Sequence, residues 1–341
     1  MMKICMIGSS GHNHYVYRGL AEAAESGYPD LNVIGAAPGS EGENMGDVMQ
    51  AVESAGHSPQ HFADYRVMLD RLQPDVVTVA CHFADMPAAS IAALERDAHV
   101  FSDKPLATNF EDFARLRKAY EQAEGLHITA MMGMRYEGPF YAAWESVRGG
   151  TIGEVRLMTT QKSYRLGERD AFYRSRTSYG GTIPWIGSHA IDLMMWMGAA
   201  SPQCVKPLSV YASHSAKANR DHGDLETSAL VHLTFTDEVF GCASIDYLRP
   251  SAAPTHGDDR LRLAGSEGVI EVMGGAVTLI DAEGERQLES APDRSIFLDF
   301  IAGAAGEREP LLTAAESFRL TEICLQARRS ADEGKIVGLG G

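Results

Sequence analysis

Two short stretches of the sequence carry residue types that can do chemistry, and a third has the pattern of a binding loop. "SDKPLA" places Lys104 directly after a buried apolar run, where an ammonium can stabilise charge developing on a substrate oxygen. "YGGTIPWIGSHAIDLMMWMG" follows a Gly-Gly turn with a helix start carrying His189 and Asp192. Residues three apart share a helix face, and histidine titrates near neutral pH, so this pair suits general acid–base work. "MIGSSGHNHYVYRGL" has the register of a G-x-G-x-x-G phosphate loop, with Gly8, Ser9, Ser10, Gly11, His12 and Asn13 in its places. Such a loop brings backbone N–H groups to a pyrophosphate. Its second and third glycines are Ser10 and Asn13 here. Serine is small and its hydroxyl can bond phosphate, whereas Asn13 is expected to loosen the packing of helix on strand. Taken alone, the stretch reads equally well as an ordinary strand–helix turn.

The elements that must position these residues alternate. "KICMIG", "LNVIGAA", "PDVVTVAC", "AHVFSDKP" and "LHITAMMGM" are short apolar runs separated by helical patterns, among them "MPAASIAALERD" and "NFEDFARLRKAYEQAEG". Asn109 is the expected N-cap of the latter and Gly125 its C-cap. Buried strands separated by helices pair in parallel and bind ligands at their C-terminal ends, which predicts a Rossmann-type α/β domain over residues 1–126. Beyond it the pattern changes. "ALVHLTF" alternates, and "EVFGCASIDYL", "DRLRLAG", "GVIEVM" and "AVTLIDAEGERQLES" follow with turn residues between them. This predicts an α+β domain over residues 127–312, built on a large open, mostly antiparallel sheet with helices on one face. A closing amphipathic helix and tail, residues 313–341, is expected to pack back towards the first domain.

Composition bounds the function classes. The 341 residues exceed what one core usually holds, and 45% hydrophobic with 22% charged residues is ordinary for a globular protein. A formal net charge of −16 argues against nucleic-acid binding, and no apolar run is long enough to span a membrane. Five scattered cysteines without a CxxC pair argue for a reducing, cytoplasmic setting and against a structural zinc site. His12 and His14 lie two apart with no evident third ligand, so no metal is expected. The acid that usually binds an adenosine ribose at the end of the second strand is missing until Glu41. The acidic "SEGE" segment favours NAD(H) over NADP(H), since it would repel a further phosphate. Arg165, Arg174 and Arg176 precede the Gly-Gly turn, either as an exposed loop or as a site for an acidic sugar, with Tyr164, Tyr173 and Trp185 able to stack on a sugar ring.

The chain resembles the glucose–fructose oxidoreductase / inositol dehydrogenase (Gfo/Idh/MocA) family over nearly its whole length. "SDKP" stands where that family has E-K-P, and "GGTIPWIGSHAIDLMMWMG" is similar to its G-G-x-x-x-D-x-G-x-H-x-x-D-x-x-x-W segment. "LAGSEGVIEV" and "RRSADEGKIVGL" resemble its second-domain strand pair and its C-terminal ending. The resemblance implies a nicotinamide-dependent dehydrogenase of sugars, cyclitols or related polyols, forming homodimers or homotetramers through the open sheet face. It places Lys104 and His189 in the catalytic set, with Asp192 either beside them or as an anchor of its helix. Cys81, His82 and Asp103 are expected with the loop residues at the cofactor; on the binding-site reading of the arginines, Tyr164, Arg165, Arg174 and Trp185 lie near the substrate. The chain departs from the pattern in several places. Trp185 replaces a family aspartate, Asp103 replaces the glutamate of E-K-P, and Cys81-His82-Phe83 follows the third strand where the family has T-P-x-x-x-H. Those departures leave open two other outcomes. One is a catalytically silent sugar- or partner-binding relative. The other is an enzyme with tightly held cofactor, such as an epimerase, a lyase or a sugar–sugar oxidoreductase.

Overall fold

A computed structural model describes residues 1–28 and 30–340 and divides the chain into two compact units. Unit 1 comprises residues 1–133, 177–180 and 295–321; unit 2 comprises residues 134–176, 181–294 and 322–341.

In unit 1 the apolar runs form β1 (Met2–Ile7), β2 (Leu31–Ala37), β4 (Val76–Val79), β5 (His99–Ser102) and β6 (Ile128–Ala130), and the exposed pair Gln60–His61 adds the short β3. They pair in parallel in the order β3-β2-β1-β4-β5-β6, a doubly wound sheet whose order reverses between β1 and β4. The connecting helices are α1 (His14–Glu22), α2 (Gly46–Ser54), α3 (Tyr65–Leu72), α4 (Met86–Leu94) and α5 (Phe110–Gln122). Asn109 caps α5 as expected, its side chain accepting from the Asp112 N–H at 2.9 Å. The helix stops at Gln122 rather than reaching Gly125, which lies beyond it at φ +75°.

Unit 2 carries α6 (Gly138–Arg148), β7 (Val155–Tyr164), the start of the one-turn α7 (Arg176–Tyr179) and α8 (Ser188–Ala200). The strands β8 (Pro207–Ser215), β9 (Ser228–Phe235), β10 (Phe240–Asp246), β11 (Gly257–Gly265), β12 (Gly268–Met273), β13 (Ala276–Asp281), β14 (Gly284–Leu288) and β15 (Val337–Gly338) complete it. These strands and β7 make one sheet, ordered β14-β13-β12-β11-β7-β10-β9-β8-β15, with β7 at its centre. It is mostly antiparallel, and the β7–β10 pair is parallel. The run "AVTLIDAEGERQLES" is two strands of a hairpin, β13 and β14, turning at Gly284. Helices α6 and α8 cover one face. The other face exposes Leu157, Tyr211, Leu230, Phe240 and Met273 in the alternate positions of five strands. Two further helices follow, α9 (Ile296–Ala304) in unit 1 and α10 (Ala314–Glu333), which ends at Gly334 at φ +66°.

Candidate active site

The loop between β1 and α1 is fixed by steric necessity. Gly8 has φ +91°, and a Cβ there would lie 2.5 Å from both the Ala80 oxygen and the Cys81 nitrogen. Gly11 has φ +66°, and its Cβ would fall 1.7 Å from Asp103 Oδ2. Only glycine fits either position. The two substituted positions have acquired partners. Ser10 N–H donates to the Ala80 oxygen at 2.8 Å, and Ser10 Oγ donates to Glu43 Oε1 at 2.9 Å. Asn13 is buried in helical conformation, and its Nδ2 donates to the Gly8 and Ser10 carbonyls at 3.3 and 3.2 Å. The expected loosening is therefore reversed: asparagine staples the loop across its own turn.

Glu43 supplies the carboxylate missing from the end of β2. Its Oε2 accepts from the Gly39 and Ser40 N–H groups at 2.9 Å each, and its Oε1 accepts from Ser9 N–H at 3.1 Å. Sequence spacing hid it, because the residue lies six positions past β2 and reaches back through a turn. A cavity of about 370 Å³ adjoins it, lined among others by Ser40, Glu41, Glu43, Asp64, Tyr65 and Arg66. The Arg66 guanidinium lies over the Tyr65 ring, 4.5 Å from its centroid. Cys81 packs beneath this corner, where a Cβ on Gly39 would approach its Sγ to 2.8 Å. Burial pushes the Cys81 thiol well up, and the nearby Glu43 and Asp85 carboxylates add to the effect. His82 N–H donates to Ser40 Oγ at 3.0 Å, and that hydroxyl donates to Asp85 Oδ2 at 2.6 Å.

Across the reversal in strand order, the end of β5 carries Asp103 and Lys104, with 0% and 1% of their surface exposed. The Lys104–Pro105 peptide is cis. Asp103 Oδ1 accepts from Lys104 N–H at 2.7 Å and lies 2.8 Å from His12 Nδ1, while Oδ2 accepts from His12 N–H at 2.9 Å. Burial alone would raise the Asp103 carboxyl, but its contacts with His12 and Lys104 outweigh it and hold the group below the usual carboxylate range. The His14 imidazole is lowered too, by burial and by its His12 neighbour. Among the described residues no three His, Cys, Asp or Glu side chains are grouped to hold a metal ion.

The Gly-Gly turn, at whose second residue unit 2 resumes, is again conformationally fixed. Gly180 and Gly181 have φ +85° and +104°. Thr182 is bound to Glu226 twice, its N–H donating to Oε2 at 3.0 Å and its Oγ1 to the backbone oxygen at 2.6 Å. Glu226 also pairs with Arg176, whose Nη1 reaches Asp332 at 2.5 Å. From that anchor the chain runs through a π-helical turn over Ile183–Gly187 into α8. Trp185 is buried in this turn, edge-on to Tyr173 at 6.1 Å, and His189 is buried in the first turn of α8. A π-turn inserts one extra residue into the helical path, a feature concentrated at functional sites.

Asp192 is held in a buried ion pair. Both its oxygens are taken by Arg135, Nε to Oδ2 at 2.9 Å and Nη2 to Oδ1 at 2.7 Å, with both side chains 1% exposed. The guanidinium also lies 5.4 Å from the Trp196 ring, which stacks on Trp144. This fork ties α8 to the turn at residues 133–136, and nothing in "MGMRY" signals it in sequence. The arginines before the Gly-Gly turn are not gathered. Arg165 donates to the Ala253 carbonyl, Arg176 is held by carboxylates, and Arg174 is exposed. Tyr164 instead borders a buried charge cluster. Lys162 Nζ lies 2.5 Å from Asp259 Oδ2 and 4.8 Å from the Tyr164 ring centroid. Beside it, burial raises Glu137 to about 6.

Comparison with known proteins accords with these features. Residues 3–130 match the family described as "Oxidoreductase family, NAD-binding Rossmann fold", and residues 140–271 match "GFO/IDH/MocA C-terminal domain". A Thermotoga maritima structure described as a "putative oxidoreductase" is 42% identical, with TM-score 0.92 over 99% of this chain and 100% of its own. The WlbA dehydrogenase from Bordetella pertussis, in complex with NADH and UDP-GlcNAcA, is 20% identical, with TM-score 0.76 over 99% of both chains. Bacillus subtilis YteT, with the same description as the Thermotoga protein, is 26% identical over 153 residues, 43% of this chain. The match spans 35%, about a third, of that curated relative's length.

Proposed function

Since the chain belongs to the GFO/IDH/MocA oxidoreductase family, we propose that it is a nicotinamide-dependent dehydrogenase that interconverts CH–OH and C=O in a sugar, cyclitol or related polyol. The observation that carries the reading is the β1–α1 loop. Its two indispensable glycines are kept, and the donors Ser9 N–H, Ser10 Oγ and His12 N–H all hold carboxylate oxygens. A donor set that takes up anions in this way fits a dinucleotide. The bound nicotinamide would supply the hydride donor or acceptor.

Glu43 supports NAD(H) over NADP(H). Held by donors from both loops, it is placed to accept from a ribose diol, and Glu41 and Asp64 in the same cavity outnumber Arg66 as neighbours of a 2′-phosphate. In this reading the buried Lys104 ammonium stabilises alkoxide charge on the substrate oxygen. His189 takes and returns the hydroxyl proton. Asp192 acts through Arg135 as a positioning residue for α8, and Glu226 positions the Gly-Gly turn. Trp185 stands in the place of the family carboxylate. Arg174 is the candidate contact for an acidic substrate, and Arg174→Ala would then raise KM for an acidic sugar more than for a neutral one. The exposed apolar face of the unit 2 sheet supports association with a second copy of the chain.

The test is calorimetric titration of the purified protein with NADH and NADPH, followed by a screen of polyols and sugar acids. Micromolar NADH binding, tighter than NADPH, is expected, with Glu43→Gln narrowing the gap. Failure to bind either dinucleotide refutes the reading.

A further inference from the structure

We propose that unit 2 holds a seat for an anionic group, the carboxylate or phosphate of a sugar acid or sugar phosphate, built from Arg165 and Arg169. The inference names the substrate class of the proposed dehydrogenase and rests on that reading for the reaction, though not for the binding.

Both arginines lie on the segment that leaves β7, and both are half-buried. Each uses one nitrogen on the backbone: Arg165 Nη2 donates to the Ala253 carbonyl, and Arg169 Nη2 donates to the Arg165 carbonyl at 3.3 Å. The Nε of each is buried without a partner. A buried donor left unmade is costly, and more so on a charged group. Among the described residues neither side chain is paired with a carboxylate, in a chain with 46 Asp and Glu against 30 Lys and Arg. Glu168 and Asp170, which flank Arg169 in sequence, are exposed.

The surplus of positive charge is local. Burial lowers the His256 imidazole, and Arg169, Arg165 and Lys162 lower it further, against a weaker upward pull from Asp259. Lys162 and Asp259 neutralise each other at 2.5 Å, which leaves the two guanidinium charges. Asp259 Oδ1 is buried without a partner, an acceptor suited to a hydroxyl of the same molecule. His256 is exposed, so the cluster borders solvent.

The geometry suits an oxyanion. The Arg169 guanidinium lies over two rings, 4.9 Å from the Tyr247 centroid and 5.6 Å from that of Tyr173. Rings on its faces leave its donors in its own plane, the arrangement that meets paired oxygens of a carboxylate or phosphate. Stacking also holds the fork still, so less freedom is lost on binding. Tyr173 in turn meets Trp185 edge-on at 6.1 Å, and Trp185 precedes His189 by one helical turn. The seat is joined in this way to the segment that bears the proposed acid–base histidine.

The experiment is calorimetry with three probes that share one ring: D-glucose, D-glucuronate and D-glucose 6-phosphate, each titrated with and without saturating NADH. At least one acid is expected to bind about tenfold or more tighter than glucose, the worth of one charge-assisted hydrogen bond. Tighter glucuronate identifies a carboxylate seat, and tighter glucose 6-phosphate a phosphate seat. Arg169→Gln should abolish the preference, and Arg169→Lys, which keeps the charge without the flat fork, should restore only part of it. Urea midpoints by tryptophan fluorescence check the fold. If Arg169→Gln lowers the midpoint, the comparison is read on Arg169→Lys, where an undiminished preference overturns the proposal. No preference for either acid, no binding of any probe, or a preference that survives in Arg169→Gln also overturns it. NADH binding without an acid preference leaves the dehydrogenase reading standing and removes the seat. An Arg169-dependent preference in a protein that binds no dinucleotide does the reverse.

Discussion

Replacing Arg135 with methionine removes one partner of a pair whose members are both 1% exposed, leaving the Asp192 carboxylate without the guanidinium that binds both its oxygens. Breaking a buried pair from one side costs roughly 3–5 kcal/mol, since the remaining charge loses the partner that offsets its desolvation. Loss of the contact with Trp196 adds about 0.5–2 kcal/mol. Urea denaturation followed by tryptophan fluorescence should therefore show a lower midpoint, with Trp144 and Trp196 stacked beside the lesion. The double variant Arg135→Met, Asp192→Leu removes both charges and should recover most of the loss, because a well-packed apolar pair often equals a buried ionic one. The same single variant should lower kcat by releasing the strut on the helix that bears His189, while NADH affinity, a property of unit 1, stays unchanged. A single-variant cost below about 1 kcal/mol, or a double variant no better than the single, would refute the assignment of Asp192 as a structural anchor.

Three further outcomes are expected. Gly8→Ala forces a Cβ onto the Ala80 oxygen and the Cys81 nitrogen at 2.5 Å, both backbone atoms, so NADH binding should fall by at least tenfold; near-native affinity in calorimetry would count against the loop. Burial raises Glu137 from 4.5 to about 6, so the folded state holds this proton more tightly than the unfolded chain does. Its contribution is then fully present below about pH 4.5 and is lost as pH rises through about 6, by roughly 2 kcal/mol. Glu137→Gln should flatten the stability–pH curve across that window, and an unchanged slope argues against it. Leu230→Glu with Phe240→Glu places charges on the exposed sheet face, so light scattering should show a smaller assembly than wild type; identical masses would mean that this face mediates no association.

The backbone frame was legible in the sequence because its signals are local. Apolar runs gave five of the six strands of unit 1, β2 with its observed limits, and Asn109 announced its own helix. What stayed hidden depended on long-range pairing. β7, the centre of the second sheet, reads poorly because its covered face includes Lys162, a buried charge whose partner Asp259 lies 97 residues away. The two-residue strand β3 is too short to leave a pattern. Glu226 and Arg135 are distant in sequence from the residues they hold, and the π-turn before His189 has no periodicity of its own.

The loop substitutions make the same point in the opposite direction. Read singly, Ser10, Asn13 and Asp103 are departures from a pattern, each weakening it a little. In the fold each has a specific partner: Ser10 with Glu43, Asn13 with the carbonyls of Gly8 and Ser10, Asp103 with His12. The shorter Asp103 sits so close to Gly11 that no side chain could replace that hydrogen, and so close to His12 that it fixes the ring. One polar atom of the loop, the buried Asn13 Oδ1, has no hydrogen-bond partner. The donors of this loop instead hold two carboxylates at 2.8 to 3.1 Å, and its glycines remain at the two positions that exclude a Cβ. Coupled replacement around a maintained backbone is the pattern expected of a binding turn rebuilt with different side chains.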